Sequence, residues 1–262
     1  MLKTGICSIS FGSLSPEELV KLVSQSGLDS IEWASNVHVP FGDAKFAESI
    51  RKLTEDAGLS VSSYGSYYKV VDEEGKPLPF EPVIESALAL GTDTVRIWAG
   101  HQPSDGLSEA ERAVIVENLR IACEAAQSNG LKLGLEFHAN TLSDSNGATM
   151  ELLKAVDHPS LYTYWQPIYW LTDPAYRMDG LRQLASKILN LHVFQWVFRP
   201  GAGSWGESTD RRPLKDGEKE WLEYLKVDLD ESFQHYALME FVRNDTQEQF
   251  LEDAKTLKSW VS

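Results

Sequence analysis

Residues 131–138 read LKLGLEFH, an apolar, strand-like run that ends on the carboxylate of Glu136. Three later runs repeat the arrangement, and each ends on a polar side chain that can bind a metal ion, namely Gln166, His192 or Glu240. Residues so far apart in the sequence converge only if their strands lie parallel and the carboxyl ends of those strands face one cavity. This geometry is typical of an eight-stranded β/α barrel, whose active site forms at that face.

The whole chain alternates predicted strands with predicted helices. Residues 15–18 (SPEE) open the first helix with an N-cap serine, a proline at the first helical position and acidic residues in the first turn. Eight strands that alternate with helices imply a parallel sheet that closes on itself. The sequence therefore predicts an α/β fold with a single-domain (β/α)8 TIM barrel over residues 1–262. The predicted strands span residues 3–10, 30–33, 60–64, 94–98, 131–137, 161–165, 188–193 and 236–241.

Length and charge limit the classes of protein that fit. The chain has 262 residues, close to the size of one such barrel. Its formal charge of −15 weighs against a nucleic-acid partner, because a protein that binds phosphate backbones normally carries a basic stripe. No apolar run approaches the roughly 20 residues of a membrane span, and the N-terminus lacks the pattern of a signal peptide. We therefore expect a soluble, cytoplasmic protein. Cys7 and Cys123 are too few and too far apart for a disulfide framework or a cysteine-based zinc site.

The four strand-end residues have a donor set that suits a hard divalent cation. Mn²⁺ and Mg²⁺ prefer oxygen ligands and tolerate imidazole, while Zn²⁺ and Co²⁺ are alternatives. A bound cation would polarise a carbonyl group and acidify the neighbouring C–H bond. Glu136 and Glu240 could then remove and return a proton as an acid/base pair. This chemistry suits isomerisation or epimerisation of a ketose through a cis-enediolate, and a role in carbohydrate metabolism.

Several motifs together resemble the xylose-isomerase-like TIM barrels, specifically the sugar phosphate isomerase/epimerase family. The resemblance covers nearly the whole chain. It is carried by GLDSIEW and NVHVP around the second strand, GLEFH at the fifth, NLHVF at the seventh, LKDGEKEWLEYL before the last and ALMEFV at the eighth. In that family Glu, Asp, His and Glu at strands five to eight hold the metal, which implies Glu136, Gln166, His192 and Glu240 as ligands here. An amide at Gln166 in place of the usual Asp removes one negative charge, which predicts a retained but weaker metal site.

Other residues at the same face are candidates for substrate binding. His38 and His101 follow the second and fourth strands, and Arg199 resembles an arginine that contacts substrate oxygens in the family. His138 lies two residues after Glu136, on the same side of the strand. Tryptophan rings at strand ends or in the loops beyond them could pack on a sugar or seal the barrel rim. These are Trp33, Trp98, Trp165, Trp196 and Trp205. The long loops 66–78 and 198–216 are candidate lids.

The most concrete interpretation is a metal-dependent isomerase or epimerase that acts on a small-molecule sugar or sugar phosphate. A metal-dependent dehydratase of keto-polyols on the same scaffold is one alternative. A non-catalytic sugar-binding barrel, with Gln166 marking decay of the site, is another. The sequence leaves the substrate, the metal and the oligomeric state open, a homo-oligomer included.

Overall fold

A computed structural model describes residues 2–171, 173–200 and 208–261. Trp205 and the middle of the predicted 198–216 lid lie outside the described residues.

Eight parallel strands close into a barrel, which confirms the predicted fold. The ladder runs β1–β2–β3–β4–β5–β6–β7–β10 and returns to β1. Two further strands, β8 and β9, form an antiparallel hairpin in the connection after β7. The strands are β1 (Lys3–Cys7), β2 (Ser30–Ala34), β3 (Ser60–Gly65), β4 (Thr94–Ile97), β5 (Lys132–Leu135), β6 (Leu161–Trp165), β7 (Ile188–Val193), β8 (Trp196–Phe198), β9 (Thr209–Arg211) and β10 (Tyr236–Met239).

Helices surround the barrel, and the local sequence fixes where they begin. Ser15 and Ser108 both accept from the N3 backbone N–H, and the N3 glutamate reaches back to each serine N–H, so both helices open with a capping box. No helix in the described ranges is long and apolar enough to cross a membrane. The α-helices described are α1 (Pro16–Ser26), α2 (Ala44–Asp56), α3 (Glu81–Leu90), α4 (Glu109–Ser128), α5 (Asn146–Val156), α6 (Pro174–Leu184), α7 (Glu218–Tyr224) and α8 (Gln247–Val261).

Part of the barrel interior is filled by a small set of side chains from four neighbouring strands, β6, β7, β10 and β1. Cys7, Tyr164, Leu189 and Leu238 form a buried cluster separate from the larger core between the strands and the helices. Gly134 makes room for Tyr164, because a Cβ at that glycine would lie 2.6 Å from the tyrosine ring. The interior is thus a packed core and not a channel.

Two local predictions differ from the structure. The first strand ends at Cys7 rather than at residue 10, because Ser8–Phe11 turns into a 3₁₀ helix. The Ser8 hydroxyl accepts from the backbone N–H of Ala34, which ties this turn to the end of β2. The predicted loop over 198–216 also contains β9 and part of β8, which were not predicted because three-residue strands carry almost no periodic signal.

Asp253 links α8 to the connection that follows the hairpin. Its Oδ1 accepts from the Leu214 backbone N–H and from Gln249 Nε2, each at 2.9 Å. Burial raises the pKa of Asp253 to about 6, despite these two hydrogen bonds. A raised pKa in the folded state means that the folded protein binds this proton more tightly than the unfolded chain, where Asp titrates near about 3.9.

We therefore expect an Asp253→Asn variant to gain stability relative to the wild type as the pH rises from about 4 to about 6, and to keep that gain at higher pH. The amide can accept both hydrogen bonds without carrying a charge. Partial screening limits the gain to about 1 to 2 kcal/mol. Urea unfolding of both proteins at pH 4, 5, 6 and 7 measures it. A difference in free energy that does not change with pH would show that Asp253 is not the titrating group.

Candidate active site

The four predicted ligands lie together at the carboxyl end of the barrel. The Nδ1 of His192 donates to Gln166 Oε1 at 3.0 Å. The same nitrogen lies 3.6 Å from Glu240 Oε2 and 3.9 Å from Glu136 Oε1. All four side chains are buried. Three carboxylate or amide groups from three different strand ends thus converge on one ring nitrogen.

The strand register produces this convergence. Glu136 and Glu240 each lie one residue beyond their strands, β5 and β10, and their backbone N–H groups donate to Ile97 O (2.9 Å) and Val193 O (3.0 Å). These bonds extend the two ladders by one residue. Since side chains alternate between the faces of a strand, His192 in β7 points into the barrel while Val193 points to the helices.

The donor set fits a divalent cation. Ligand atoms around an octahedral ion at about 2.1 Å lie about 3 to 4 Å apart. The ligand atoms of Glu136, His192 and Glu240 lie within 4.8 Å of one another, so only small side-chain movements are needed. Two carboxylates, one imidazole and one amide oxygen are the donor types that Mn²⁺ and Mg²⁺ accept. Their metal binding stays a prediction, which the geometry supports.

Arg96 holds one oxygen of Glu136 and leaves the other for the site. Arg96 is completely buried, and its Nη1 donates to Glu136 Oε2. Trp98 Nε1 donates to the same oxygen. Because Oε2 has these two donors, Oε1 is the oxygen that faces His192. The carboxylate of Glu136 is therefore fixed in both position and orientation.

The same arginine pairs with Glu32. Arg96 Nε donates to Glu32 Oε1 at 2.8 Å, and Ser63 Oγ donates to Glu32 Oε2 at 2.7 Å. Glu32 is 1% exposed, and its Oε1 lies 3.8 Å from His192 Nε2. One buried guanidinium thus bridges a candidate ligand, Glu136, and a carboxylate outside the four.

The two strand-end glutamates have opposite electrostatic environments. Burial raises the pKa of Glu136, but the positive charges of Arg96, His138 and His192 outweigh burial and leave that pKa below its ordinary value. Burial also raises the pKa of Glu240, and His192 and Arg96 offset it only in part, so that pKa stays above its ordinary value. Glu136 is therefore the carboxylate that stays ionised, and Glu240 is the one that can hold a proton.

Trp98 and His138 lie on the β4–β5 side of the site. Trp98 stacks on His138 with ring centroids 4.7 Å apart, while its indole N–H binds Glu136. His138 Nδ1 donates to Ala139 O at 2.6 Å. In the neutral ring this bond leaves Nε2 as a proton acceptor. The structure thus brings both predicted residues next to the four.

Aromatic rings cover the opposite side, beyond β7 and β10. Phe194 and Trp196 stack at 3.9 Å between ring centroids, and Tyr169 meets Trp196 edge-on at 5.3 Å. Phe241, which follows Glu240, lies 6.0 Å from Trp196. The site therefore has a polar wall on one side and an apolar wall on the other.

Trp33 and His38, two predicted substrate-binding residues, lie outside the site. Trp33 alternates with Glu32 and so points away from the barrel axis, where its Nε1 donates to Thr54 of α2 at 3.1 Å. Both ring nitrogens of His38 have partners, Ser8 Oγ and Leu14 O, each at 3.1 Å. Both residues are buried parts of the core, and these contacts give no support to the prediction that they bind substrate. Trp165 likewise packs outward, against α7.

His101 and Arg199 are not brought to the four ligands either. His101 lines a separate cavity of about 280 Å³ with residues of loop 71–75 and the start of α4. Arg199 is 59% exposed and pairs with Asp210 at 2.9 Å, across the β8–β9 hairpin. Their predicted contact with substrate has no support in this geometry.

Arg96 and Tyr67 were missed by the sequence reasoning. The sequence did contain a signal for Arg96, since a charged residue inside the apolar run TVRIW must find a partner when it is buried. The Tyr67 ring lies 4.8 Å from the Arg96 guanidinium carbon, and its backbone has a positive φ of 54°. Left-handed backbone at a residue of this size is uncommon and often marks functional segments. No pattern in the sequence predicts that conformation.

Comparison with known proteins gives one consistent answer for the fold. The family model described as xylose isomerase-like TIM barrel matches residues 20–260. A 3-dehydroshikimate dehydratase from Bacillus anthracis is 25% identical in an alignment of 276 positions, which covers 98% of this chain and 96% of that protein. The crystal structure of a probable 3-DHS dehydratase from Bacillus anthracis has a TM-score of 0.78 at 22% identity, covering 98% of this chain and 99% of that one. A xylose isomerase-like TIM barrel protein from Mycobacterium smegmatis, in complex with magnesium, has a TM-score of 0.72 at 17% identity, covering 100% of this chain and 98% of that one.

Proposed function

The chain belongs to the xylose isomerase-like TIM barrel family, and from this premise we propose that it is a divalent-metal-dependent dehydratase of a small keto-polyol. The reaction removes the proton next to the carbonyl group and the hydroxyl group on the following carbon. The products are an unsaturated ketone and water. Mn²⁺ or Mg²⁺ is the cation that we propose, held by Glu136, Gln166, His192 and Glu240.

The observation that carries the proposal is the inequality of the two strand-end glutamates. Arg96 and Trp98 both donate hydrogen bonds to one oxygen of Glu136. Burial raises the pKa of Glu136, but the nearby positive charges, of which Arg96 is the largest, lower it by more, so the pKa lies below its ordinary value. Burial keeps the pKa of Glu240 raised, because the charges of His192 and Arg96 offset it only in part. Dehydration needs only one of the two glutamates to take the proton from carbon, so a pair in which Glu240 carries the proton and Glu136 stays ionised suits it.

The bound cation would supply polarisation of the substrate carbonyl. Glu240 takes the proton from the adjacent carbon on its carboxylate, as the C–H bond breaks and the C=C bond forms. His138 Nε2, when protonated, gives its proton to the departing hydroxyl as the C–O bond breaks. Glu136 remains ionised and orients the reacting group, while Trp98 keeps the His138 ring in place by stacking.

A ketose epimerase is the second candidate. It is supported by the placement of Glu136 and Glu240, whose oxygens lie 3.9 and 3.6 Å from the same His192 nitrogen. Epimerisation requires each of two groups to hold the transferred proton in turn. The hydrogen bonds from Arg96 and Trp98 to Glu136 make that glutamate a poor proton carrier, which is why we rank this reaction second.

The test is an assay of the Mn²⁺-loaded protein in D₂O against a panel of cyclic and linear keto-polyols and ketoses, uncharged, carboxylated and phosphorylated. We expect an unsaturated ketone, seen as new ultraviolet absorbance, with loss of one water by mass spectrometry. Deuterium uptake without loss of water would overturn dehydration and establish the epimerase candidate. Neither signal with any compound, in a protein that binds Mn²⁺, would leave the non-catalytic sugar-binding barrel as the better explanation.

A further inference from the structure

We infer that Glu32 and Arg96 are positioning residues, an internal ion pair that orients two of the four ligands, Glu136 and His192, from inside the barrel. This inference rests on the metal site of the proposed function. It adds two residues, one on β2 and one on β4, that are not among the four proposed ligands. The contacts form a closed chain in which Glu32 binds Arg96, Arg96 binds Glu136, and Glu32 also faces the far side of the His192 ring.

The His192 ring supplies the first argument. Its Nδ1 faces the other three ligands, whereas its Nε2 is buried and has no hydrogen-bond partner among the described residues. Glu32 Oε1 lies 3.8 Å from this Nε2, about 0.8 Å longer than a usual N–H···O bond. A ligand on Nδ1 leaves the ring proton on Nε2, where it faces the Glu32 carboxylate. Metal-binding histidines commonly donate their second N–H to a carboxylate, which fixes the tautomer and the ring orientation.

The Glu136 carboxylate supplies the second argument. Arg96 Nη1 binds Oε2 of Glu136, so Oε1 is presented to the site. Arg96 can do this only because Glu32 holds its Nε at 2.8 Å from the other side. The guanidinium is a rigid fork, so fixing one edge fixes the other.

The neighbouring backbone is shaped to accept this pair. A Cβ at Gly65 would lie 2.7 Å from Arg96 Nη2 and 3.0 Å from Glu32 Oε1, so any larger residue at the end of β3 would displace the ion pair. Tyr67 covers the guanidinium with its ring at 4.8 Å. A purely apolar residue at Arg96 would not need either feature.

A paired substitution separates orientation from charge. Glu32→Gln together with Arg96→Met removes one negative and one positive charge, so the net charge around the ligands does not change. Neither side chain is then left as an unpaired buried ion, which is the main cause of instability when one partner of a buried pair is removed. The variant also loses the Arg96 charge that lowers the pKa of Glu136, so a fall in metal affinity that persists at alkaline pH reports the lost orientation of His192 and Glu136.

The experiment measures the dissociation constant for Mn²⁺ by competition with a chromophoric chelator, together with the melting temperature of the metal-free protein. We expect the double variant to bind Mn²⁺ about 10- to 100-fold more weakly than the wild type, the range typical for lost partners of ligands. Its melting temperature is expected to lie above that of either single variant. Should the double variant not fold, Arg96→Lys keeps the charge but loses the fork, and we expect its affinity to fall at least about threefold, since one ammonium cannot hold both carboxylates.

Gly5→Ala is the control for a general loss of stability. Its Cβ would lie 2.3 Å from Ser30 Oγ and 2.8 Å from Leu238 Cδ2, in the barrel interior and away from the four proposed ligands. It should lower the melting temperature and leave the Mn²⁺ affinity unchanged. An affinity of the folded double variant, or of Arg96→Lys, equal to that of the wild type would overturn the inference and make the pair merely structural. Absence of Mn²⁺ binding in the wild type would instead overturn the metal site itself.

Discussion

Glu240→Gln is expected to lower kcat by about a thousandfold on the compound that the wild type dehydrates in the D₂O assay. A positioned general acid or base commonly contributes between about a hundredfold and ten-thousandfold. Glu240 is the only one of the two strand-end glutamates whose pKa stays raised, because burial outweighs the charges of His192 and Arg96. The amide keeps the shape of the side chain and an oxygen towards His192, but it cannot take a proton.

Two controls decide whether the fall in kcat comes from the lost proton transfer by Glu240. Glu231→Gln makes the same chemical change at an exposed position and should leave kcat unchanged. Metal content per chain must be measured beside kcat, because Glu240 is also a proposed ligand, and rates are compared at saturating Mn²⁺. A Glu240→Gln protein that holds Mn²⁺ and keeps kcat within about tenfold of the wild type would exclude Glu240 as the proton carrier.

The predicted fold followed from features that act over short distances. Apolar strand-like runs, capping boxes and the alternation of strands with helices are local properties, and parallel strands that alternate with helices have few ways to close. The convergence of Glu136, Gln166, His192 and Glu240 followed from the same logic, since strand ends of one barrel share one face. The structure adds that the side-chain oxygens of Glu136, Gln166 and Glu240 all lie within 3.9 Å of His192 Nδ1.

The sequence-based expectations that the geometry does not support concern the direction in which a side chain points. Trp33 stands one residue after Glu32, and a shift of one residue in a strand moves a side chain from the barrel interior to the helix layer. In β2 the side chain of Glu32 points into the barrel, where it binds Arg96. The side chain of Trp33 therefore points to the helix layer, where it donates to Thr54 of α2. Arg96 is a similar case, because its partners Glu32 and Glu136 lie 64 and 40 residues away in the sequence. Local patterns cannot pair residues at such separations.

Gln166→Glu is expected to tighten Mn²⁺ binding by at least about tenfold, which corresponds to about 1.4 kcal/mol. The change replaces one amide NH₂ by an oxygen, so the side chain keeps its length and its reach of 3.0 Å to His192 Nδ1. The new carboxylate lies next to those of Glu136 and Glu240. Three neighbouring carboxylates repel one another in the metal-free protein. A divalent cation bound between them removes this repulsion.

The added charge should lower the melting temperature of the metal-free protein and increase the stabilisation by Mn²⁺. The metal-free Gln166→Glu protein should melt at a lower temperature than the wild type, whereas the rise in melting temperature on adding Mn²⁺ should be larger, because tighter binding to the folded state stabilises it more. Gln127→Glu, an exposed position on α4, adds the same charge and should change neither quantity. If Gln166→Glu weakens Mn²⁺ binding while its metal-free form is as stable as the wild type, residue 166 is not a ligand. The metal would then have to be held by Glu136, His192 and Glu240 without the side chain at position 166.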